Sequence, residues 1–125
     1  MILLRHAWAG DSSKWKGDDD ERPLDERGIE QAKELVDELA PFTIDRIVSS
    51  PAVRCVQTVE PLAHAQGLEI EECPELGQRR SEQEWAAAVR SFVGTNAVVC
   101  GHGGFEAGIP GAPELKKGAF FVVAD

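Results

Sequence analysis

The sequence has few cysteines and no long apolar run, and both absences exclude classes of protein. Its three cysteines, Cys55, Cys73 and Cys100, are odd in number and lack C-x-x-C spacing. We therefore expect neither a disulfide framework nor a zinc site, and we interpret them as small buried hydrophobic residues. No apolar run approaches the ~20 residues of a membrane span, and the apolar start is too short for a signal peptide. These features predict a cytoplasmic protein without a membrane partner.

Basic residues are also scarce. The chain has 13 Lys and Arg against 22 Asp and Glu, a net charge of −9. Nucleic acids and anionic lipids are bound by clustered Lys and Arg, so we expect no nucleic-acid partner, and any anionic ligand must be held by a few local cations. The length of 125 residues and a composition of 42% hydrophobic and 28% charged residues predict one globular domain over residues 1–125. We expect that domain to be a monomer.

Short apolar runs alternate with amphipathic segments. Runs typical of buried strands lie at 2–4, 46–49, 68–72, 97–100 and 119–123. A helix is predicted over 26–40, with Asp25 as N-cap and with Leu24 and Ile29 as a hydrophobic staple. A second is predicted from Ser50-Pro51 to Gly67, with Ser50 as N-cap and Pro61 kinking or dividing it. A third is predicted over 85–93, after a Ser81–Glu84 capping box. This alternation predicts an α/β three-layer sandwich with a mostly parallel central sheet flanked by helices, which binds ligands at the carboxyl ends of its strands.

Residues suited to phosphate chemistry follow the predicted strands. Arg5 and His6 end the first strand, His102 follows the fourth, and Arg54 lies in the first turn of the second helix. Arginine forks bind phosphate oxygens in pairs, and a neutral histidine can attack phosphorus directly, so this chemistry requires no metal or other cofactor. Ser12 is a further candidate phosphate donor in the loop over 9–23, whose acidic run 18–21 we interpret as a solvated face.

Four sequence motifs, in a fixed order, resemble the histidine phosphatase (phosphoglycerate mutase-like) superfamily. They are Leu4-Arg5-His6-Ala7, the segment Arg22 to Gly28 with Gln31-Ala32, Ser49-Ser50-Pro51 with Arg54, Gln57 and Thr58, and Gly101-His102-Gly103. The small size and the R-H-A form are most similar to the SixA-like phosphohistidine phosphatase branch and to the phosphatase domain joined to some Nudix hydrolases.

The resemblance implies a role for each matching residue. His6 would be the nucleophile that becomes phosphorylated, Arg5 and Arg54 would clamp the phosphoryl oxygens, and His102 would stabilise the transferring group. The implied enzyme is a phosphoric monoester or phosphohistidine hydrolase that acts on a phosphohistidine protein or a phosphorylated small molecule.

Two departures from the family pattern sharpen this expectation. Gln78 stands where many members carry a general-acid glutamate, and an amide cannot deliver a proton as a carboxylic acid does. The proton donor is left open among Glu75, Glu82 and Glu84. A missing acid favours substrates with good leaving groups, such as phosphohistidine or acyl phosphate, and it also supports the alternative of a catalytically degenerate phospho-ligand-binding module.

The second departure is the short segment after His102. Residues 103–113 contain four glycines and two prolines, so a long helix is not expected there. We predict a C-terminally shortened version of the fold with an open, shallow site that suits a protein substrate.

Overall fold

The computed structural model describes residues 1–124, in which five strands alternate with three α-helices along most of the chain. The strands are β1 (Ile2–Arg5), β2 (Arg46–Ser49), β3 (Ile70–Glu72), β4 (Ala97–Gly101) and β5 (Phe120–Val122). The helices are α1 (Glu26–Leu39), α2 (Val53–Gln66) and α3 (Glu82–Ser91). Short 3₁₀ turns lie in the connections.

The strands form one sheet in the order β3-β2-β4-β1-β5. The first four are mutually parallel, and β5 runs antiparallel to β1, with Leu3 opposite Phe121. β1 and β4 are therefore neighbours although they are far apart in the chain, and their carboxyl ends meet where Arg5 pairs with Gly101. This confirms the predicted α/β sandwich with a mostly parallel sheet.

Alternate residues of each strand supply two hydrophobic cores, one on each face of the sheet. Leu4 packs in the core that contains Leu35 of α1 and Leu62 of α2. Its neighbour Leu3 points into the opposite core, where Val89 of α3 and Phe105 lie. Because both faces are covered, the polar ends of β1 and β4 are left at the carboxyl edge of the sheet.

Helix α1 begins as predicted, because the Asp25 carboxylate accepts the Gly28 N–H at 2.8 Å. The apolar stripe differs in one place. Ile29, expected to pack against Leu24, is 45% exposed, and the buried position at the start of the helix is Gly28. A Cβ at Gly28 would lie 1.9 Å from the Trp8 carbonyl oxygen, so the absence of a side chain lets the helix approach the loop after β1.

Replacing Gly28 with alanine should therefore destabilise the protein by about 3 kcal/mol, since overpacking against rigid backbone outweighs the gain in helix propensity of roughly 1 kcal/mol. Urea unfolding measures the change in free energy. The matched control is Glu34→Ala, at an exposed position of the same helix, which should change stability by less than about 0.5 kcal/mol. Equal stability of Gly28→Ala and wild type would contradict the close approach.

Helix α2 begins later than predicted. Its first residue is Val53, and Ala52 is the N-cap residue, without a side-chain cap. Ser50, predicted to cap this helix, instead directs its hydroxyl to His102. Pro61 lies inside an undivided helix, and Gly67 ends it in the left-handed conformation at φ 67°, which glycine adopts without strain.

The segment after His102 holds a 3₁₀ turn at Phe105–Gly108 and, among the described residues, no long helix before β5, as the glycines and prolines predicted. None of the helices described within residues 1–124 is long and apolar enough to cross a bilayer.

Candidate active site

The two predicted site histidines lie side by side at the carboxyl edge of the sheet. The His6 N–H donates to the Gly101 carbonyl at 3.0 Å, which continues the β1–β4 pairing by one residue beyond the strand end. His102 follows Gly101 directly, and the two ring centroids are 5.7 Å apart. Both side chains are buried, with 6% of each residue exposed.

The environment of His6 determines its protonation. Nδ1 lies 2.8 Å from the Ala7 carbonyl oxygen; because a carbonyl only accepts, Nδ1 carries the hydrogen and Nε2 keeps its lone pair. Burial lowers the pKa of His6 to about 3, and the nearby charges of Arg54 and Arg5 act in the same direction. The imidazole is therefore neutral at physiological pH.

This shift links stability to pH. The folded pKa of about 3 is below the ordinary value of 6.5, so between these pH values the unfolded chain binds a proton that the folded chain excludes. Folding stability should fall as the pH decreases from 6.5 towards 3, and His6 should contribute a slope of about 1.4 kcal/mol per pH unit. Urea unfolding of wild type and His6→Gln between pH 4.5 and 6.5 measures that contribution.

The comparison depends on the difference between slopes, because titration of the many carboxylates is common to both proteins. His64→Gln is the matched control, since His64 is exposed on α2 and should leave the slope unchanged. Identical slopes in wild type and His6→Gln would show that the His6 pKa is not lowered.

His102 is held by contacts from three elements. Its Nε2 lies 2.9 Å from Ser50 Oγ, and its Nδ1 lies 3.5 Å from Arg54 Nη2. The indole of Trp85, from α3, stacks on the imidazole with centroids 6.1 Å apart and planes inclined by 20°. Trp85 is fixed in turn by its Nε1–H, which donates to the Gly77 carbonyl at 2.8 Å. The ring therefore has a defined orientation beside His6 and Arg54.

Arg54 is almost completely buried, with 2% exposed. Its Nη1 donates to the Asp19 carbonyl at 2.7 Å, its Nη2 lies 3.2 Å from the Asp19 carboxylate, and Nη2 also donates to the Gln78 amide oxygen. Its Nε is buried and has no hydrogen-bond partner within the described residues. An unpaired buried cationic donor is costly, so the Arg54 Nε–H is a donor that the surrounding residues leave unsatisfied.

Arg5 has the same feature. Its Nη1 donates to the Leu115 carbonyl at 2.9 Å, whereas its buried Nε has no partner among residues 1–124. Gly103 makes room for the guanidinium, because a Cβ there would lie 2.8 Å from Arg5 Cζ. The buried Glu106 accepts the Leu115 N–H at 3.1 Å and so fixes the segment that holds Arg5.

The loop after His6 is fixed by residues of the motif segments. Thr58 Oγ1 accepts the Ala7 N–H and the Gln31 amide oxygen accepts the Trp8 N–H, both at 3.0 Å. Asp25 accepts the Gly10 N–H at 3.1 Å. Residues of the four sequence motifs other than Arg5, His6, Arg54 and His102, a group called the quartet below, therefore shape the backbone that presents His6.

The structure brings together four of the five predicted site residues, His6, His102, Arg5 and Arg54. Ser12 is the exception, because it lies with Trp8, Arg22 and Lys117 along a separate cavity. Ser12 is close to the Leu4-Arg5-His6-Ala7 motif in sequence, but it does not lie with the four other predicted site residues in space. The placement of Ser12 does not support direct contact with a phosphoryl group held by the quartet.

The acidic run is not simply a solvated face, since Asp19 lies against Arg54 and also accepts a hydrogen bond from Arg22 Nε at 2.9 Å. That hydrogen bond lowers the pKa of Asp19, so the carboxylate is ionised at neutral pH. The candidate proton donors Glu75, Glu82 and Glu84 are all exposed, and Glu84 is engaged by Ser81 and Arg80.

Sequence reasoning missed Asp19, Trp85 and Glu106 as parts of the site. No local signal identifies Asp19 or Glu106, because their partners are distant in the chain. Within residues 1–124 no three His, Cys, Asp or Glu side chains are grouped to hold a metal ion.

Comparison with known proteins agrees with this geometry. Residues 1–79 match the model of the histidine phosphatase superfamily, branch 1. A protein of Mycolicibacterium smegmatis named 8-oxo-(d)GTP phosphatase is 36% identical over 108 residues, which cover 82% of this chain and 34% of that protein. The chain thus spans about a third of the length of this relative.

Solved structures show the same fold. The protein histidine phosphatase SixA complexed with tungstate superposes with a TM-score of 0.72 at 23% identity, covering 93% of this chain and 80% of that one. A mycobacterial glucosyl-3-phosphoglycerate phosphatase complexed with VO3 gives 0.70 at 17% identity, covering 96% and 90%. With the family match over most of its length, this chain belongs to the histidine phosphatase superfamily, branch 1, and carries the phosphatase fold of that family.

Proposed function

We propose that this chain is a metal-independent phosphatase that works through a phosphohistidine intermediate on His6. The observation that carries the proposal is the buried, neutral His6, whose Nδ1–H is bound to the Ala7 carbonyl and whose Nε2 lone pair is free. It lies beside two arginines that each have an unpaired buried Nε–H. A neutral nucleophile next to fixed cationic donors suits attack on a phosphoryl group.

In the proposed reaction the phosphoryl oxygens bind to Arg5 and Arg54. His6 Nε2 attacks phosphorus, and the bond to the leaving group breaks with its electron pair on the leaving atom. Water then attacks the phosphorus of the phosphohistidine, which releases inorganic phosphate and restores His6. The arginine charges replace the role that a metal ion plays in other phosphoryl-transfer sites.

The proposed role of His102 is to donate a hydrogen bond to the transferring group. Ser50 Oγ lies 2.9 Å from its Nε2, and a hydroxyl can donate a hydrogen. Ser50 Oγ already accepts the Ala52 N–H at 3.3 Å, so its own hydrogen is available for Nε2. Nδ1 then carries the imidazole hydrogen and, because it lies 3.5 Å from the donor Arg54 Nη2, a phosphoryl oxygen bound between the two nitrogens would accept a hydrogen bond from both.

The proposed substrate class has a good leaving group. Gln78 binds Arg54 through its amide oxygen and so serves to hold the arginine, while the three candidate glutamates are exposed. The leaving group of a phosphohistidine protein or of an acyl phosphate departs without protonation by a carboxylic acid. The alkoxide of an alkyl phosphate needs that protonation. The likeness to SixA in fold supports phosphohistidine, and the name of the mycobacterial relative extends the choice to phosphorylated nucleotides.

The test is a turnover assay in EDTA with a phosphohistidine peptide, acetyl phosphate and a simple alkyl phosphate, combined with rapid acid and alkaline quench. We expect turnover of the first two substrates and an acid-labile, alkali-stable phosphoenzyme. Tight binding of phosphopeptide without turnover or phosphoenzyme would instead establish the alternative, a phospho-ligand-binding module on the same fold.

A further inference from the structure

Glu106 is the one buried acidic side chain among residues 1–124, with 4% of the residue exposed. In the part of the chain that the structure describes, no Lys, Arg or His lies within ion-pair distance of its oxygens. Burial of a carboxylate without an ion pair is costly unless hydrogen bonds offset it. The contacts of this side chain therefore show what its burial serves.

The two carboxylate oxygens hold two different parts of the segment after β4. Oε2 accepts the Gly104 N–H at 3.0 Å, and Oε1 accepts the Leu115 N–H at 3.1 Å. Hydrogen bonds to a carboxylate are stronger than those between neutral groups. Glu106 thus closes the chain from Gly104 to Leu115 into a loop whose two ends are fixed relative to each other.

The Gly104 end of this loop belongs to the turn that follows His102. In that turn the Phe105 N–H donates to the His102 carbonyl at 3.2 Å. Gly104 has the left-handed conformation, with φ 106°, which glycine adopts without strain. The hydrogen bond from Gly104 to Glu106 therefore holds the backbone on which the His102 ring stands.

The Leu115 end of the loop holds Arg5. The Leu115 carbonyl accepts Arg5 Nη1 at 2.9 Å, and the Leu115 side chain is buried in the core that contains Phe105. The turn at the other end packs against the same guanidinium, since a Cβ at Gly103 would lie 2.8 Å from Arg5 Cζ. The guanidinium therefore contacts both ends of the loop that Glu106 closes.

We propose that Glu106 is a positioning residue for phosphoryl transfer, because its carboxylate fixes the turn after His102 to the backbone that binds Arg5. The inference rests on the proposed phosphatase activity. Glu106 contacts no substrate in this proposal and acts through Arg5, whose buried Nε–H has no partner among the described residues. The carboxylate keeps that N–H directed at a phosphoryl group held beside His6 and His102.

The first test is Glu106→Gln, which keeps the size of the side chain. It replaces one acceptor oxygen by an NH2 donor, so the N–H of Gly104 or of Leu115 loses its partner. Because small displacements of positioning groups are costly in rate, kcat/KM for acetyl phosphate should fall by roughly 30-fold, with an increase in KM. The Kd of inorganic phosphate, measured by titration calorimetry, should rise by about tenfold.

The second test repeats the substitution in an Arg5→Ala background. There Glu106→Gln should lower kcat/KM by less than about threefold, because the guanidinium that it positions is absent and the two effects are not additive. A merely structural role predicts a different result. Loss of folded protein would lower kcat equally in both backgrounds and leave KM and the phosphate Kd unchanged.

Glu114→Gln is the matched control, because Glu114 is exposed and adjacent to Leu115. It removes a negative charge from the same segment and should keep wild-type kinetics and phosphate affinity. Should Glu106→Gln not fold, Glu106→Asp provides the second variant. It keeps the charge but is one methylene too short to reach both N–H groups, so it should also weaken phosphate binding.

Wild-type phosphate affinity in a folded Glu106 variant, or equal losses of kcat/KM with and without Arg5, would overturn the positioning role. Failure of the underlying phosphatase proposal is recognised separately, since wild type would then show neither turnover nor phosphoenzyme. The phosphate titration would still measure whether Glu106 positions Arg5.

Discussion

Replacing His6 with alanine is expected to lower kcat/KM by ~10⁴-fold or more, about 5.5 kcal/mol of transition-state stabilisation, and to remove the phosphoenzyme. The reason is that Nε2 supplies the only bond that the enzyme is proposed to form with phosphorus. The substituted pocket still holds Arg5, Arg54 and His102, so binding of inorganic phosphate should survive. Steady-state kinetics and acid-quench trapping measure the two losses, and phosphate inhibition or direct titration measures the remaining binding.

The matched control is His64→Ala, which removes an exposed histidine of α2 and should keep wild-type kinetics. His6→Gln gives a second nucleophile variant with a larger side chain, which guards against collapse of an emptied pocket. A phosphoenzyme of normal yield in either His6 variant would show that another residue attacks the substrate, and the proposed mechanism would fall.

The quartet could be predicted because each of its members follows a strong local signal. The apolar runs that predict β1 and β4, at 2–4 and 97–100, end two residues before His6 and His102, and parallel strands expose their carboxyl ends at one edge. The position of Arg54 follows from a strand, a proline and a helix start. These are patterns of a few residues, which local propensities determine.

The partners of the quartet could not be predicted in the same way. Asp19 lies 35 positions before Arg54, and its sequence neighbours suggested only exposure to solvent. What brings it inward is a buried guanidinium whose donors must be satisfied, a requirement visible only after folding. Trp85 likewise belongs to an amphipathic helix that predicts core packing, and the register of α3 decides that its ring meets His102.

At Ser50 and Gly28 the local sequence preference also failed to predict the structure. The Ser-Pro pair fits a helix N-cap, yet the chain continues for two residues in other conformations and gives the hydroxyl to His102 instead. Gly28, and not Ile29 of the expected staple, is the buried residue at the start of α1, because the carbonyl of Trp8 approaches the helix too closely for any side chain. In both places a contact with the loop or the site outweighs the local preference.

The second large effect is expected at Arg54. Arg54→Ala should lower kcat/KM by ~10²–10³-fold and weaken inhibition by phosphate, because it removes a fixed buried cation from the place where transition-state charge develops. Arg54→Lys should recover little of this loss, since a single ammonium nitrogen lacks the planar fork whose separate nitrogens contact Asp19 and Gln78 and leave Nε–H for the substrate. Kinetics with wild type, Arg54→Ala and Arg54→Lys, each checked for folding by urea unfolding, provide the measurement.

Arg79→Ala is the control that separates the effect of the buried position of Arg54 from the effect of losing one positive charge. Arg79 is exposed and pairs with Asp18, the neighbour of Asp19, at 3.2 Å, so its removal takes a cation from the same acidic segment without touching the buried guanidinium. It should change kcat/KM by less than about twofold, because exposed ion pairs contribute little. Equal losses in Arg79→Ala and Arg54→Ala would mean that overall charge near the segment, and not the orientation of Arg54 by Asp19 and Gln78, binds the phosphoryl group.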